Sequence, residues 1–510
     1  MEHIDNVIED IKALVPMGGV TVPDNKIDLN GLYKRRDFVV ERARSAGLEV
    51  IEMKESAENP CPFLILTFPE MVQDGKMLAK IALVGHMDVV DVQKPDQFTA
   101  RVEGDFIHGR GTTDMLGVDS VFLEWMRTQQ LAGGKKPPFM LMLSFTEEND
   151  SALGHNTYTA RKFLEDKYAA DIEFAIIGER TGEMTNPDEL VTSTIRDSNY
   201  GLRRYEISKD LSNRNNEQSI SVLMNVNHLM SGFRQRLAAA NSKDGVGTTF
   251  AAPFIDYRAR LDPGASSHGF LRLSTNDLNT THSAQSKPSQ STPIEEALKR
   301  VDLLGEQLND FQLLRFSVGQ GVNNYNTISS TSTIEIAHRN NDGYGQKIAE
   351  SVLAGAGKVE VINFGDIERG TMLRAGIEMR EAPIHAALVT DSVKRMRNGV
   401  ARFRGKVDIS TERSGWVCDQ SNHHLGKLRN SFEDVTGEQA KSAVKVFFND
   451  GSAFIHSCDG HTHTGQPIAR AVVFGGVGFG PHGPAEKAHI PGFETQWREL
   501  DAFAAQYLVE

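Results

Sequence analysis

The chain has 510 residues, and its 55 basic and 68 acidic residues give a formal net charge of -13. This length exceeds what one hydrophobic core usually serves, so at least two domains are expected. The acidic balance argues against nucleic acid or an anionic membrane surface as a partner.

Cysteine usage and the N-terminal segment predict a cytoplasmic location. The three cysteines, Cys61, Cys418 and Cys458, are odd in number and widely scattered, which argues against a disulfide framework. The first 15 residues carry acids where an export signal would carry basic residues. The apolar runs are much shorter than the roughly 20 residues that cross a bilayer.

The first part of the chain predicts an α/β layer. Up to about residue 196, strand-like apolar runs at 62–68, 79–85, 139–146 and 173–178 alternate with helical patterns. This alternation is typical of a mostly parallel sheet flanked by helices. From about 197 to 290 the sequence is polar and weakly periodic, which we interpret as a boundary region or insertion, with extra polar sequence at about 186–270.

A different sequence pattern follows and predicts an inserted α+β domain. Thr292, Pro293 and Glu295 form the start of a capped helix, whose apolar stripe would pack on a small sheet. Strands are predicted at 332–338 and 358–363. The α/β pattern then returns, so the first domain would comprise 1–196 and 411–510, and the inserted domain 197–410. No internal repeat of fixed period is detectable.

Acidic and histidine residues lie where predicted strands end. His86 and Asp88 follow an apolar strand, an arrangement in which the imidazole binds a metal while the carboxylate holds its other nitrogen. Asp114 lies in a glycine-rich loop before a helix and could bridge metals or cap that helix. A structural histidine remains the alternative for His86.

The strand at 139–146 runs directly into Glu147 and Glu148. Adjacent carboxylates at this end of a strand are costly unless a cation or a shared proton relieves them, although a solvated acidic loop is the alternative. One glutamate could bind a metal while the other accepts a proton from water. Glu179 ends a further strand, and a late glycine-rich loop carries His482 and His489. Two histidines and three carboxylates suit two divalent ions with a bridging aspartate.

The ordered series GHMDVV, GRGTTDM, FTEEND, GERTG and AHIPGFE resembles the zinc-dependent aminoacylase and carboxypeptidase G family. That family includes succinyl-diaminopimelate desuccinylase, acetylornithine deacetylase and carnosinase-like dipeptidases. The resemblance implies that His86 and Glu179 hold one metal, Glu148 and His489 hold the other, and Asp114 bridges them. Glu147 would be the general base and Asp88 would orient His86. His482 would lie next to the metal ligands without binding a metal itself.

The resemblance also implies an inserted lid domain that forms a homodimer. Within it His282 would polarise the scissile carbonyl, and Asn326 and Arg339 would contact the substrate. The alternatives are a polar loop, a turn and an exposed strand end, respectively.

The resemblance therefore predicts a metallohydrolase in which a metal-bridging hydroxide attacks an amide bond of a peptide or N-acyl amino acid. The metals would be zinc, with cobalt or manganese as alternatives. An N-carbamoyl (ureido) amidohydrolase and a non-catalytic metal-binding relative remain alternatives. The cluster Cys458, His461 and His463 lacks the spacing of a structural zinc site. The glycine-rich GGVGFG at 475–480 lacks the lysine of a phosphate loop.

Overall fold

The computed structural model describes most of the chain: residues 2–22, 26–53, 60–148, 156–183, 194–245, 247–263, 268–275, 280–282, 288–289, 292–308, 310–319, 327–329, 331–339, 343–353, 357–367, 369–440, 443–445, 449–455 and 467–508. These residues form two compact units. Unit 1 comprises Met1–Asn199 and Trp416–Glu510, and unit 2 comprises Tyr200–Gly415.

Unit 1 is built on a six-stranded sheet with helices around it. Four neighbouring strands are parallel, and the last two pair antiparallel at one side. In spatial order the strands are Ala471–Val473, Phe174–Ile177, Ile81–His86, Phe139–Ser144, Leu64–Thr67 and Glu49–Glu52. The α-helices are Glu2–Leu14, Leu29–Ser45, Leu116–Leu131, Thr157–Tyr168, His423–Thr436 and Ile490–Leu508.

The central strands of this sheet are buried on both faces. Every residue of Ile81–His86 and Phe139–Ser144 is buried, as expected where helices cover both sides of a parallel sheet. Ser144 lies opposite His86, and Ile177 lies opposite Val84, so the carboxyl ends of three strands meet at one edge. Side chains that follow these strands therefore gather there.

Smaller elements complete unit 1. A five-stranded sheet contains Gly182–Glu183, Val477–Phe479, Lys487–His489, Phe106–His108 and Arg101–Glu103, and a four-stranded sheet contains Val444–Lys445, Ser198–Asn199, Trp416–Cys418 and Ile468–Ala469. Two short pairs are Thr21–Val22 with Lys26–Ile27 and Val72–Gln73 with Lys76–Met77. The 3-10 helices are Val15–Met17, Pro69–Met71, Pro95–Phe98 and Asp450–Phe454.

Unit 2 is an eight-stranded antiparallel sheet with helices on one face. The strands in spatial order are Gly357–Ile362, Gly269–Thr275, Ser332–His338, Gln312–Val318, Ile255–Arg258, Met372–Glu381, Gly201–Asp210 and Lys406–Arg413. The helices Asn216–Asp244, Pro293–Gln307, Tyr344–Leu353 and Ala386–Arg402 share one hydrophobic core with the sheet. A separate two-stranded antiparallel sheet pairs Thr280–His282 with Thr327–Ser329, and short 3-10 helices lie at Phe364–Asp366 and Pro383–His385.

The predicted α/β class is confirmed, and several element predictions are too. The capping box of Thr292 and Glu295 forms as predicted, and the predicted strand 332–338 is present. The segment 197–290, interpreted from its polar sequence as a boundary region or insertion, contains the ten-residue strand Gly201–Asp210 and the 29-residue helix Asn216–Asp244. That helix buries a narrow stripe within a polar sequence, which weakens the apolar periodicity.

Among the described residues, no helix combines the length and apolar character needed to cross a membrane.

Candidate metal centre

The carboxyl edge of the parallel sheet brings four predicted site residues together. His86 is the last residue of its strand, Glu147 and Glu148 follow the neighbouring strand, and Glu179 follows the strand on the other side. His86 Nε2 lies 3.9 Å from Glu147 Oε2 and 3.6 Å from Glu179 Oε1. The backbone topology alone thus positions an imidazole among carboxylates.

His86 is buried, and Asp88 contacts it mainly through the backbone. His86 Nδ1 lies 3.0 Å from the carbonyl oxygen of Asp88 and 3.5 Å from its carboxylate. Hydrogen bonding at Nδ1 leaves Nε2 directed toward the acids. Burial alone would lower the pKa of His86, but Asp114, Asp88 and Glu179 outweigh it and raise the pKa well above its usual value.

The Asp88 carboxylate anchors the two glutamates. It accepts hydrogen bonds from the backbone amides of Glu147, at 3.1 Å, and Glu148, at 2.9 Å. The hydroxyl of Thr21 donates a further bond at 2.6 Å. Burial would raise the pKa of Asp88, but its contacts with His86 and Thr21 lower it. Asp88 therefore fixes the turn that carries both glutamates.

Asp114 lies between the two histidines His86 and His482. Its Oδ1 is 3.2 Å from His86 Nε2, and its Oδ2 is 3.3 Å from His482 Nε2. Burial alone would raise the pKa of Asp114, yet these imidazoles lower it well below its usual range. His482 Nε2 also lies 3.1 Å from Glu148 Oε1.

The loop that presents Asp114 is held by one buried carboxylate, that of Glu486. Its Oε1 accepts hydrogen bonds from the backbone amides of Gly111, Thr113 and Asp114 at 3.0, 3.1 and 3.2 Å. Its Oε2 pairs with Arg110 at 2.5 Å. Burial raises the pKa of Glu486 to about 7. This side chain ties the Asp114 loop to the segment that carries His482.

Two sets of possible metal ligands share Asp114. In the first, ligand atoms of His86, Asp114 and Glu179 all lie within 4.8 Å of one another; in the second, those of Asp114, Glu148 and His482 do. A further grouping joins His86 with Glu147 and Glu148. One imidazole nitrogen with carboxylate oxygens is a donor set that suits zinc and related divalent ions.

The cluster carries an excess of negative charge. Burial and the neighbouring Glu179 and Glu148 raise the pKa of Glu147 well above its usual value, and burial raises that of Glu148. Burial also raises the pKa of Asp450 to about 6. Besides the two imidazoles, Lys445 places a positive charge beside these acids, with Nζ 3.8 Å from Glu179 Oε2. A bound cation would relieve this repulsion.

His489 lies apart from both ligand sets. It pairs in register with Phe106, and the two rings stand 5.3 Å apart. Its buried Nδ1 has no hydrogen-bond partner in the described part of the chain, and burial lowers its pKa. The structure thus brings His482, rather than the predicted His489, to Asp114 and Glu148.

The sequence carried one signal for His482. Glu486 follows it by four residues, whereas Glu494 follows His489 by five, a spacing longer than is common in the family that the sequence resembles. In the structure Glu486 holds the Asp114 loop.

Asp119 is a buried residue near the site that the sequence reasoning missed. Gly85, next to His86, has no room for a side chain, because a Cβ would lie 1.7 Å from Asp119 Oδ1. Neither carboxylate oxygen of Asp119 has a hydrogen-bond partner among the described residues. Burial raises its pKa well above the usual value, which favours the neutral acid.

The predicted residues of unit 2 are less fully described. His282 lies in the short strand Thr280–His282, and its side chain is outside the described part of the structure. Asn326 is outside it as well. Arg339 follows the strand Ser332–His338; its side chain is 73% exposed, and its guanidinium lies 2.9 Å from the Asp310 carboxylate. The cluster Cys458, His461 and His463 also lies outside the described residues.

A separate group of possible ligands has a structural explanation. His424, with Glu173 and His423, could in principle hold an ion. However, His424 already contacts Tyr507 at 2.5 Å and Glu173 at 3.1 Å, and Lys80 lies 3.1 Å from Glu173. Protein groups therefore already neutralise this carboxylate.

The fold is of α/β type with an inserted α+β unit, and the donor set at its sheet edge could hold divalent metal ions. The model of the peptidase family M20/M25/M40 matches residues 82–506, and the chain belongs to this family. The resemblance inferred from the sequence is confirmed, and the family to which the chain belongs is one of peptidases.

Individual relatives are distant. Acetylornithine deacetylase of Erwinia tasmaniensis is 24% identical over 191 residues, which are 35% of this chain and 44% of that protein. The match thus spans less than half of the relative's length.

Solved structures agree with the fold. The metallo-carboxypeptidase Sso-CP2 of Sulfolobus solfataricus has a TM-score of 0.56 at 14% identity, with both chains fully covered (100%). Human carnosine dipeptidase 1 has a TM-score of 0.54 at 11% identity, covering 100% of this chain and 97% of that one. The dipeptidase Dug1p of Saccharomyces cerevisiae has a TM-score of 0.53 at 13% identity, covering 100% of both chains.

Proposed function

We propose that this chain cleaves an amide bond of a peptide or N-acyl amino acid with the help of two divalent metal ions bridged by Asp114. The observation that carries the proposal is the pair of ligand sets that share this aspartate. His86 and Glu179 would complete one metal site, and Glu148 and His482 would complete the other. Membership in a peptidase family supports the reaction class.

Zinc fits these donors best, with cobalt or manganese as alternatives, because each set offers one imidazole nitrogen and carboxylate oxygens. Bound cations would supply Lewis acidity, which makes water a better nucleophile and polarises a carbonyl.

Glu147 is the proposed general base. It is nearly buried, its Oε2 lies 3.9 Å from His86 Nε2, and it belongs to neither of the sets that share Asp114. The Asp88 carboxylate holds its backbone amide, so the glutamate can keep its position while it gains and loses a proton. Glu147 would accept the proton of the attacking water at its carboxylate and deliver it to the leaving amine.

Substrate contacts from unit 2 are proposed on the resemblance alone. His282 would polarise the scissile carbonyl, Asn326 would contact the substrate, and Arg339 would bind its carboxylate. The exposed Arg339 side chain is compatible with that role, because Asp310 contacts only part of the set of N–H donors on its guanidinium. A cytoplasmic location is also proposed, since Cys61 and Cys418 are free thiols.

The test combines metal analysis with a hydrolysis screen of dipeptides and of N-acetyl, N-succinyl and N-carbamoyl amino acids. We expect about two metal ions per chain and hydrolysis of at least one class. A Glu147→Gln variant should keep its metals and lose roughly 10²- to 10⁴-fold in kcat. The exposed Glu70→Gln is the matched control and should behave like the unmodified chain.

Full activity of Glu147→Gln with its metals in place would remove Glu147 from the mechanism. Absence of bound metal from a protein that hydrolyses these amides would remove the metal proposal itself.

A further inference from the structure

Unit 2 contains a six-element fold that is interrupted in sequence. In chain order it has a strand, a helix, two strands, a helix and a strand: Gly201–Asp210, Asn216–Asp244, Ile255–Arg258, Met372–Glu381, Ala386–Arg402 and Lys406–Arg413. Across the sheet, its strands lie in the order fourth, first, third, second. We name this part module A.

The segment between the second and third strands of module A repeats the same fold. Its six elements follow the same chain order: Gly269–Thr275, Pro293–Gln307, Gln312–Val318, Ser332–His338, Tyr344–Leu353 and Gly357–Ile362. Its strands again lie in the order fourth, first, third, second. We name this part module B. The two-stranded sheet of Thr280–His282 and Thr327–Ser329 is an addition to it.

An equivalent ion pair occurs in both modules. In module A, Arg204 of the first strand lies directly opposite Glu378 of the third, with Nε 2.8 Å from the carboxylate. In module B, Arg272 of the first strand lies opposite Glu335 of the third at 2.7 Å. Both glutamate side chains are fully buried. Each glutamate also follows an isoleucine in the sequence.

The modules join through their equivalent second strands. Ile255–Arg258 pairs antiparallel with Gln312–Val318, so that Ile255 lies opposite Val318 and Arg258 lies opposite Arg315. An antiparallel pair of equivalent strands is the contact that a twofold axis produces between identical subunits. All helices of both modules pack in one core on the same face of the continuous sheet.

The two outer edges of the sheet are poorly suited to further pairing. Lys358 and Glu360 form an ion pair along one edge strand, and Lys406 and Asp408 lie on the other. Charged side chains on edge strands disfavour edge-to-edge association. The exposed apolar residues there, such as Val361, stand singly between such groups.

We propose that unit 2 is an internal dimer of modules A and B, and that the chain is therefore a monomer in solution. The contact between equivalent strands, which separate subunits would otherwise have to form, is made within one polypeptide. This replaces the homodimer that the family resemblance implies. The proposal does not depend on the hydrolytic activity.

The first test is the molar mass of the full chain, measured by light scattering and sedimentation from micromolar to near-millimolar concentration. We expect the mass of one chain, 56.3 kDa, throughout this range. A mass of two chains that persists on dilution would overturn the proposal.

The second test asks whether the pairing between the two equivalent second strands, which we call the seam, forms within one chain. Asp256 and Ser317 are directly opposite across it, at a separation that a disulfide can span. The double variant Asp256→Cys with Ser317→Cys should form an intramolecular disulfide that migrates as a single chain without reductant. Each single variant, and the unmodified chain with its own cysteines, are the controls. Disulfide-linked dimers of the double variant would mean that the seam forms between chains.

The outer edges are tested with Lys358→Cys and Lys406→Cys as separate variants. Both positions are exposed, so these substitutions should not affect folding. No covalent dimer should form under oxidation at micromolar concentration. Rapid dimerisation of either variant, with a two-chain mass for the unmodified protein, would place a subunit contact at that edge and overturn the proposal.

Discussion

The acid cluster at the sheet edge of unit 1 and the buried glutamates of unit 2 differ in the groups that surround them. At the sheet edge of unit 1, Asp114, Glu147, Glu148 and Glu179 cluster around imidazoles, with Lys445 as a neighbouring cation. In unit 2 the buried glutamates each face arginine, as in the pair of Glu335 and Arg272.

The difference separates structural acids from functional ones. A buried carboxylate is costly unless it is paired, protonated or bound to a cation. Arginine supplies that charge permanently in unit 2, whereas the unit 1 cluster keeps its oxygens available for metal ions. Glu499 represents a third case, because both of its oxygens are buried without a hydrogen-bond partner among the described residues.

Removing an arginine from unit 2 should affect stability alone. Arg272→Ala leaves Glu335 with the more distant Arg315, at 3.9 Å, and should lower the free energy of unfolding by about 3 kcal/mol. Metal content should not change. Urea denaturation with parallel metal analysis measures both quantities.

The surface pair supplies the control for this experiment. Lys358→Ala breaks an exposed ion pair with Glu360 and should lower the free energy of unfolding much less than Arg272→Ala does, because solvent screens exposed charges. If Arg272→Ala were equally mild, or released metal, the buried pair would not have the structural role given to it.

Within unit 1, Glu486 should control metal affinity without binding metal. Glu486→Gln weakens the contacts with Arg110 and with the amides of the Asp114 loop, so metal affinity should fall by about 10- to 100-fold. Competition with a chelator of known affinity measures this change. Glu494→Gln, which alters the exposed glutamate after His489, is the control. Loss of metal from Glu494→Gln alone would instead favour His489 as the ligand.

A further expected effect is a pH dependence of stability caused by Glu499. Burial raises its pKa from the ordinary 4.5 to about 8 in the folded chain. Between these values the unfolded chain loses its proton while the folded chain keeps it. Stability that is fully present below pH 4.5 is thus lost as the pH rises to about 8, by up to about 1.4 kcal/mol per pH unit.

Glu499→Gln should remove this dependence, because glutamine does not titrate. Thermal or urea unfolding of both proteins across that pH range would measure the difference, with Glu494→Gln on the same helix as the exposed control. Parallel curves for Glu499→Gln and the unmodified chain would mean that Glu499 is not held neutral by burial.

The sequence by itself determined the elements that depend on local pattern. Buried strands such as Ile81–His86 are continuous apolar runs, and the acids and histidine that follow them can be read directly. Because parallel strands end at one edge, these local signals predicted that His86, Glu147 and Glu179 would gather. The motif series also predicted the family.

Tertiary structure decided what depends on distant parts of the chain. The position of His482 beside Asp114 belongs to this class, as does the hydrogen bond from the Asp114 amide to Glu486, a contact across more than 370 residues. The two modules were invisible to a search for a fixed period because one lies inside the other, between strands Ile255–Arg258 and Met372–Glu381. Spacing along a chain records local geometry, whereas such contacts form only when strands that are distant in sequence pair and pack together.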